Sequence, residues 1–223
     1  MDLKNIYSDK NQKGDDKMED LYERHKTLEL KIPEEVFIIG CGGTGTWLGI
    51  ECAMVGVKNI NIFDDDTIEN HNRSRLPYPE SWVGKRKTDA LKEFIKNIRP
   101  ECNVYVNEGI RSDIDLIAIT GKLVFDCNDD PNVQKMIFNH CKKNKFNYIG
   151  VGCNANHVSV ISDLDKIWLD EGKDTYQVTP MYLVPPMVSS LCAIWNVVHG
   201  NTNLSYLKEM KNLFGIQKEK KHE

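Results

Sequence analysis

No two of the seven cysteines form a C-x-x-C pair, and seven is an odd number. That argues against a paired-thiol zinc site and against a disulfide framework, so no zinc is expected and the chain reads as a cytoplasmic protein. No apolar run approaches the roughly 20 residues of a membrane helix. The N-terminus is polar and lacks the apolar core of a signal peptide. Positive charge is not in excess either: 29 Lys and Arg stand against 33 Asp and Glu, a net charge of −4. Neither a membrane nor a nucleic acid is an expected partner. There is no internal repeat and no low-complexity tract.

What is present suits one globular domain with short appendages. The 223 residues are 40% hydrophobic and 28% charged, enough to bury a single large core without a staple. Residues 1–34 read as a polar arm, within which 18–30 carries enough spaced apolar residues for a short amphipathic helix. Residues 35–200 read as an α/β domain, and 201–223 as a C-terminal helix, over 204–214, with a charged tail. Apolar runs at 36–39 and 122–125 suit strands buried on both faces. Further strands are expected at 59–63, 103–106 and 146–151, with helices at 47–54, 89–98, 132–143 and, after Pro185 and Pro186, 187–198. Strands alternating with helices imply a largely parallel sheet with helices on both faces. Residues 157–161 are expected as an antiparallel addition toward the C-terminus.

Between the first strand and its helix, Gly40, Gly42 and Gly45 satisfy G-x-G-x-x-G, with Gly43 inside the loop. Gly40 permits a tight turn, Gly42 lets a phosphate approach the backbone, and Gly45 lets the helix pack on the strand. The helix N-terminus then offers amides and a positive dipole end to an anion. Asp64 ends the second strand nineteen residues after Gly45, where an acceptor for ribose hydroxyls is expected. The pattern points to a nucleotide without choosing NAD or ATP.

The following stretch bears on that choice. Arg73, Arg75, Lys85, Arg86 and Lys87 come within about two dozen residues of Asp64. Such a cluster can neutralise a triphosphate, or it can be a solvated basic loop paired with acids. Here the chain resembles the ThiF, MoeB and HesA family of ubiquitin-activating-type adenylyltransferases, which carry D-x-D-x-V, S-N-L-x-R-Q and V-G-x-x-K after the glycine loop. Asp64, Asp66 and Ile68 fit the first segment; Asn72 and Arg75, eight and eleven residues after Asp64, fit the second; Val83, Gly84 and Lys87 fit the third. The resemblance implies a Rossmann-like fold that binds ATP, with Asp64 on the ribose and Asn72, Arg75 and Lys87 on the phosphates. Asp126 and Asp129 resemble the family's D-x-x-D segment, which makes Asp129 the candidate for Mg2+. Capping of the next helix is the other reading of these two acids. Tyr22 and Arg24 resemble an N-terminal R-Y-x-R segment whose arginine enters the other subunit's active site. A homodimer follows if Arg24 does so; a surface arginine is the alternative.

The function implied is ATP-dependent adenylation of a carboxylate, the C-terminal glycine of a small ubiquitin-like or sulfur-carrier protein. Arg75, Lys87, Asp129 and Arg24 are its expected catalytic residues. Two departures bear on it. Residues 162–185 hold no cysteine, so no thioester is expected there, and Cys153 reads as a buried strand-end thiol. Gln134 stands where the family often has an arginine. A catalytically degenerate ATP-binding dimeric scaffold is therefore the alternative, with an NAD-dependent oxidoreductase behind it.

Overall fold

A computed structural model describes residues 21–164 and 181–201, and the backbone of 205–209. The chain divides into two units, Met1–Lys31 and Ile32–Glu223. In the first, the described residues form a single 3-10 turn, Glu23–His25, with Lys26 paired to Glu23 at 2.6 Å. The helix expected at 18–30 is thus corrected to one turn, in line with the marginal stability of short helices in water. Residues 18–20 lie outside the described residues.

In the second unit the sheet comprises β1 (Glu35–Ile39), β2 (Asn59–Phe63), β3 (Asn103–Asn107), β4 (Leu123–Asp126), β5 (Asn147–Cys153), β6 (His157–Ile161) and β7 (Ser205–Glu209). Their order is β3-β2-β1-β4-β5-β6-β7. Pairs among the first five are parallel, and β6 and β7 join antiparallel. The expected α/β class and antiparallel addition hold. The helix expected at 204–214 does not: over residues 205–209 the chain is a strand. Ser205 to Glu209 register against Ile161 to His157, supplying hydrogen-bond partners that the edge of β6 needs.

The helices are α1 (Gly43–Val55), α2 (Lys87–Ile98), α3 (Pro131–Asn144) and α4 (Val184–Val198). Gly56 ends α1 in the left-handed conformation at φ 107°, a common helix stop. Pro185 and Pro186 fall within the first turn of α4, where no amide is needed for the helix ladder. Phe37, Ile39, Phe63, Val124 and Tyr148 turn to one face and pack with Ile137, Phe138 and Cys141 of α3. Val36, Ile38, Ile60 and Ile62 alternate to the other face, which α1 covers, flanked by α2 and α4. No helix among the described residues is long and apolar enough to cross a membrane.

The chain order reverses at β1, with β2 on one side and β4 on the other. In open parallel sheets the crevice beyond the strand ends at such a switch point is where ligands bind. The glycine loop follows β1 at this point, and the residues from Asp126 follow β4.

Candidate functional site

The glycine positions differ in what they require. Gly40 has φ +91°, and a Cβ there would meet the Cys127 carbonyl oxygen at 2.9 Å. A Cβ on Gly45 would lie 1.8 Å from the Gly40 oxygen, and one on Gly43 would meet Arg75 Cδ and Pro186 at 3.2 Å. At Gly42, by contrast, nothing lies within 4 Å of the Cβ position. Gly42 is also the N-cap of α1, and no side chain caps that end. The result is an open backbone cradle at a helix N-terminus, which suits an anion.

Asp64 is tied to this loop. One carboxylate oxygen accepts the Cys41 amide at 2.6 Å and the other accepts the Asp66 amide at 2.7 Å. Burial raises its pKa, and the nearby Lys87 charge opposes that shift. Lys87 opens α2 with its side chain 12% exposed, and its ammonium lies 2.6 Å from Asp66 Oδ2. The two segments are also joined through backbone: the Ile68 amide donates to the Lys85 carbonyl and the Gly84 amide to that of Ile68, both at 2.8 Å. The fold therefore places Lys87 beside Asp64, and gives Asp66 to Lys87 as an ion-pair partner.

The remaining cations divide. Arg73 bonds Asn70 and lies 3.8 Å from Glu80, Arg86 pairs with Glu108 at 3.1 Å, and Lys85 pairs with Glu93. Arg75 is different. Among the described residues it has no carboxylate partner; its guanidinium donates to the His71 carbonyl at 3.4 Å. Its carbonyl accepts the Trp47 indole N–H at 2.9 Å, which anchors it to α1, and its side chain passes Gly43. An arginine without a counter-ion, next to an uncapped helix start, is what a phosphate group would complete. Asn72 serves this placement indirectly. Its side chain is buried, accepts the Glu69 amide at 3.0 Å and contacts the His71 ring at 3.0 Å. It builds the turn that presents Arg75.

After β4, Asp126 is buried, Asp129 is exposed and Asp130 caps α3 through the amides of Asn132 and Val133. The capping reading thus falls to Asp130, and Asp129 is left facing solvent. Among the described residues no three His, Cys, Asp or Glu side chains converge to hold a metal alone. A lone exposed carboxylate suits magnesium when phosphate oxygens supply further ligands.

The profile of the ThiF family matches residues 24–170. The chain belongs to the ThiF family. A tRNA threonylcarbamoyladenosine dehydratase of Haemophilus influenzae is 32% identical over 122 residues, covering 52% of this chain and 46% of that protein. The Escherichia coli molybdopterin-synthase adenylyltransferase is 27% identical over 130 residues, covering 57% and 47%. The chain thus spans about half the length of the curated relatives it matches. E. coli MccB solved with ATP superposes with a TM-score of 0.67 at 19% identity, over 80% of this chain and 64% of that one; it supports the fold alone.

Against this ThiF-family framework, two departures acquire a physical setting. Gln134 donates its amide to the Asn128 carbonyl and so braces the loop carrying Asp129. Cys153 ends β5 with its sulfur 3.5 Å from the Thr44 hydroxyl. Burial raises its pKa, while Thr44, Ser189 and the Arg75 charge act in the other direction. The Gln134 contact spans only six residues, whereas sequence spacing gave no hint of the Cys153 contact, which joins β5 to α1. Arg24 lies in the first unit, within the 3-10 turn Glu23–His25.

Proposed function

We propose that this ThiF-family chain binds ATP with magnesium and adenylates a carboxylate. The observation that carries the reading is Arg75: a guanidinium without a carboxylate partner among the described residues, beside the open, uncapped start of α1. In the proposed reaction a carboxylate oxygen attacks the α-phosphorus, an O–P bond forms, and the bond to the β-phosphate oxygen breaks to release pyrophosphate. No general base is needed, since the nucleophile is already an anion. Arg75 and Lys87 offset the charge that develops on the phosphates, the amides at Gly42 and Gly43 cradle them, and Asp64 holds the ribose. Asp129 is the residue to hold magnesium, which would screen phosphate charge when bound.

The proposed substrate is the C-terminal carboxylate of a small ubiquitin-like or sulfur-carrier protein. The similarity to a molybdopterin-synthase adenylyltransferase favours it. A peptide is the next class, since MccB has been solved with MccA. A homodimer with Arg24 donated across the interface belongs to the same proposal. The alternative, ATP binding without turnover, draws on Gln134: its amide is engaged with the Asn128 carbonyl in place of a phosphate-directed cation. ATP–pyrophosphate exchange with candidate carboxylate proteins separates the two. Exchange that falls about a hundredfold or more in Asp129→Ala supports adenylation; exchange unchanged by that substitution removes Asp129 from the site. ATP binding with no exchange for any partner favours the scaffold.

A further inference from the structure

Asp126 takes no direct part in the proposed reaction, yet its side chain is at the centre of the loop behind the glycine turn. It ends β4, where it registers against Ile39 of β1, and it is 1% exposed. Its Oδ1 accepts the Asn128 amide at 3.1 Å and its Oδ2 accepts the Tyr148 hydroxyl at 2.9 Å. The Tyr148 ring is itself held edge-on by Phe138 of α3, with centroids 5.2 Å apart. From Asn128 the bonding continues: its side-chain oxygen takes the Asp130 amide, its carbonyl takes Gln134, and Asp130 caps α3. Asp129 is exposed, as is Asp130, whose carboxylate is used in capping α3. On the other side, the Cys127 carbonyl oxygen and the Asn128 amide nitrogen lie 2.9 and 3.2 Å from the position a Cβ on Gly40 would take.

We infer that Asp126, held by Tyr148, is a positioning residue that places the Asn128–Asp129 turn against the glycine loop and tunes its affinity for a magnesium-bound triphosphate. The inference rests on the reading of this crevice as an ATP site. A buried carboxylate under the loop attracts a divalent cation and repels a bare triphosphate, so the charge on Asp126 acts oppositely on the two. Burial pushes this carboxyl up to about 7, against the opposing hydrogen bonds from Asn128 and Tyr148. The titratable groups facing it are Tyr148 on β5, Cys141 on α3 and Cys127 in the loop, all raised in pKa and therefore neutral near pH 7. Among the described residues, no cation is among the groups acting on it.

The test is equilibrium ATP binding by the full chain, with and without Mg2+, from about pH 5.5 to about pH 9. Wild type is compared with Asp126→Asn and Tyr148→Phe, each checked by thermal unfolding. Asparagine reproduces the protonated carboxyl: its oxygen accepts from Asn128 and its amide donates to the Tyr148 oxygen. ATP's own terminal phosphate titrates in this interval equally for every protein, so the variant-to-wild-type quotient is the quantity read. The magnesium enhancement of wild type is expected to outgrow that of Asp126→Asn by about threefold or more as pH rises. In Tyr148→Phe the wild-type step should persist with its midpoint about one pH unit higher, since a donor to the charged form is gone. If wild type and Asp126→Asn share one profile, the inference is overturned while the ATP reading stands. A Tyr148→Phe midpoint that stays put removes the role given to Tyr148. If wild type binds no ATP at any pH, the ATP reading falls first and this inference with it.

Discussion

The two walls of the crevice each hold an acid withdrawn from solvent but differ in the charges around it: cations paired with acids surround Asp64, and neutral groups surround Asp126. On the β2 side, from Asp64 to Lys87, a partly buried Asp64 held by two backbone amides sits among cations paired with acids: Lys87 with Asp66, Arg86 with Glu108, Lys85 with Glu93. On the β4 side, from Asp126 to Gln134, the central acid is buried and satisfied by neutral donors, a tyrosine hydroxyl and a backbone amide. Exposed pairs of the first kind are individually weak, whereas a buried carboxylate is costly unless its donors are well placed. In the proposed reading, binding strength on the β2 side would rest on Arg75, the cation of this stretch that has no acid partner among the described residues. On the β4 side it would rest on geometry.

The largest expected effect tests what the two walls share. Gly45→Ala drives a methyl group to 1.8 Å from the Gly40 oxygen, and the glycine turn has no room to yield toward Cys127. Loss of several kcal/mol of stability, on the order of 3 or more, is expected in denaturant unfolding. Gly42→Ala, with open space at the same atom, should leave stability within about 1 kcal/mol while weakening ATP binding.

Next comes the pH dependence of the β4 wall. The Asp126 carboxyl is raised from 3.8 to about 7, so between these values the folded chain binds more protons than the unfolded one. Stability contributed below about pH 4 is therefore lost as pH rises through about 7, an effect on the order of 4 kcal/mol. Asp126→Asn should flatten that slope in unfolding curves taken across the interval. An unchanged slope would show that the buried acid is not what distinguishes this wall.

The smallest effects compare cations on the β2 wall. Arg75→Ala is expected to weaken ATP binding about ten- to a hundredfold with little change in stability. Arg86→Ala, which loses only an exposed partner in Glu108, should change stability by less than about 1 kcal/mol and leave ATP affinity near wild type. Equal effects of the two substitutions on ATP affinity would dissolve the distinction between free and paired arginines.

Much of the frame was readable along the chain. The apolar run before Gly40, the spaced glycines and the acid after β2 each act over a few residues, and the structure puts strand, turn and helix where they indicate. The cation cluster was legible only as an ambiguity, since sequence distance does not say which arginine finds a carboxylate. The resemblance implies a phosphate role for Asn72, and it does not show that the Asn72 amide also braces its own turn. Tyr148 carried no signal at all, because its partner Asp126 lies on a neighbouring strand. The strand at Ser205–Glu209 was missed for the same reason: pairing with β6 overrides a weak local preference.

By itself the sequence determined the class of fold, the glycine turn and the family, because turn geometry, strand burial and helix capping are set by neighbours in the chain. Only the tertiary structure decided which charges are paired, which acid is buried and which arginine has no acid partner among the described residues. Those outcomes depend on distance through space and on exposure to water, and both come into being when β1, β2, β4 and β5 are laid side by side.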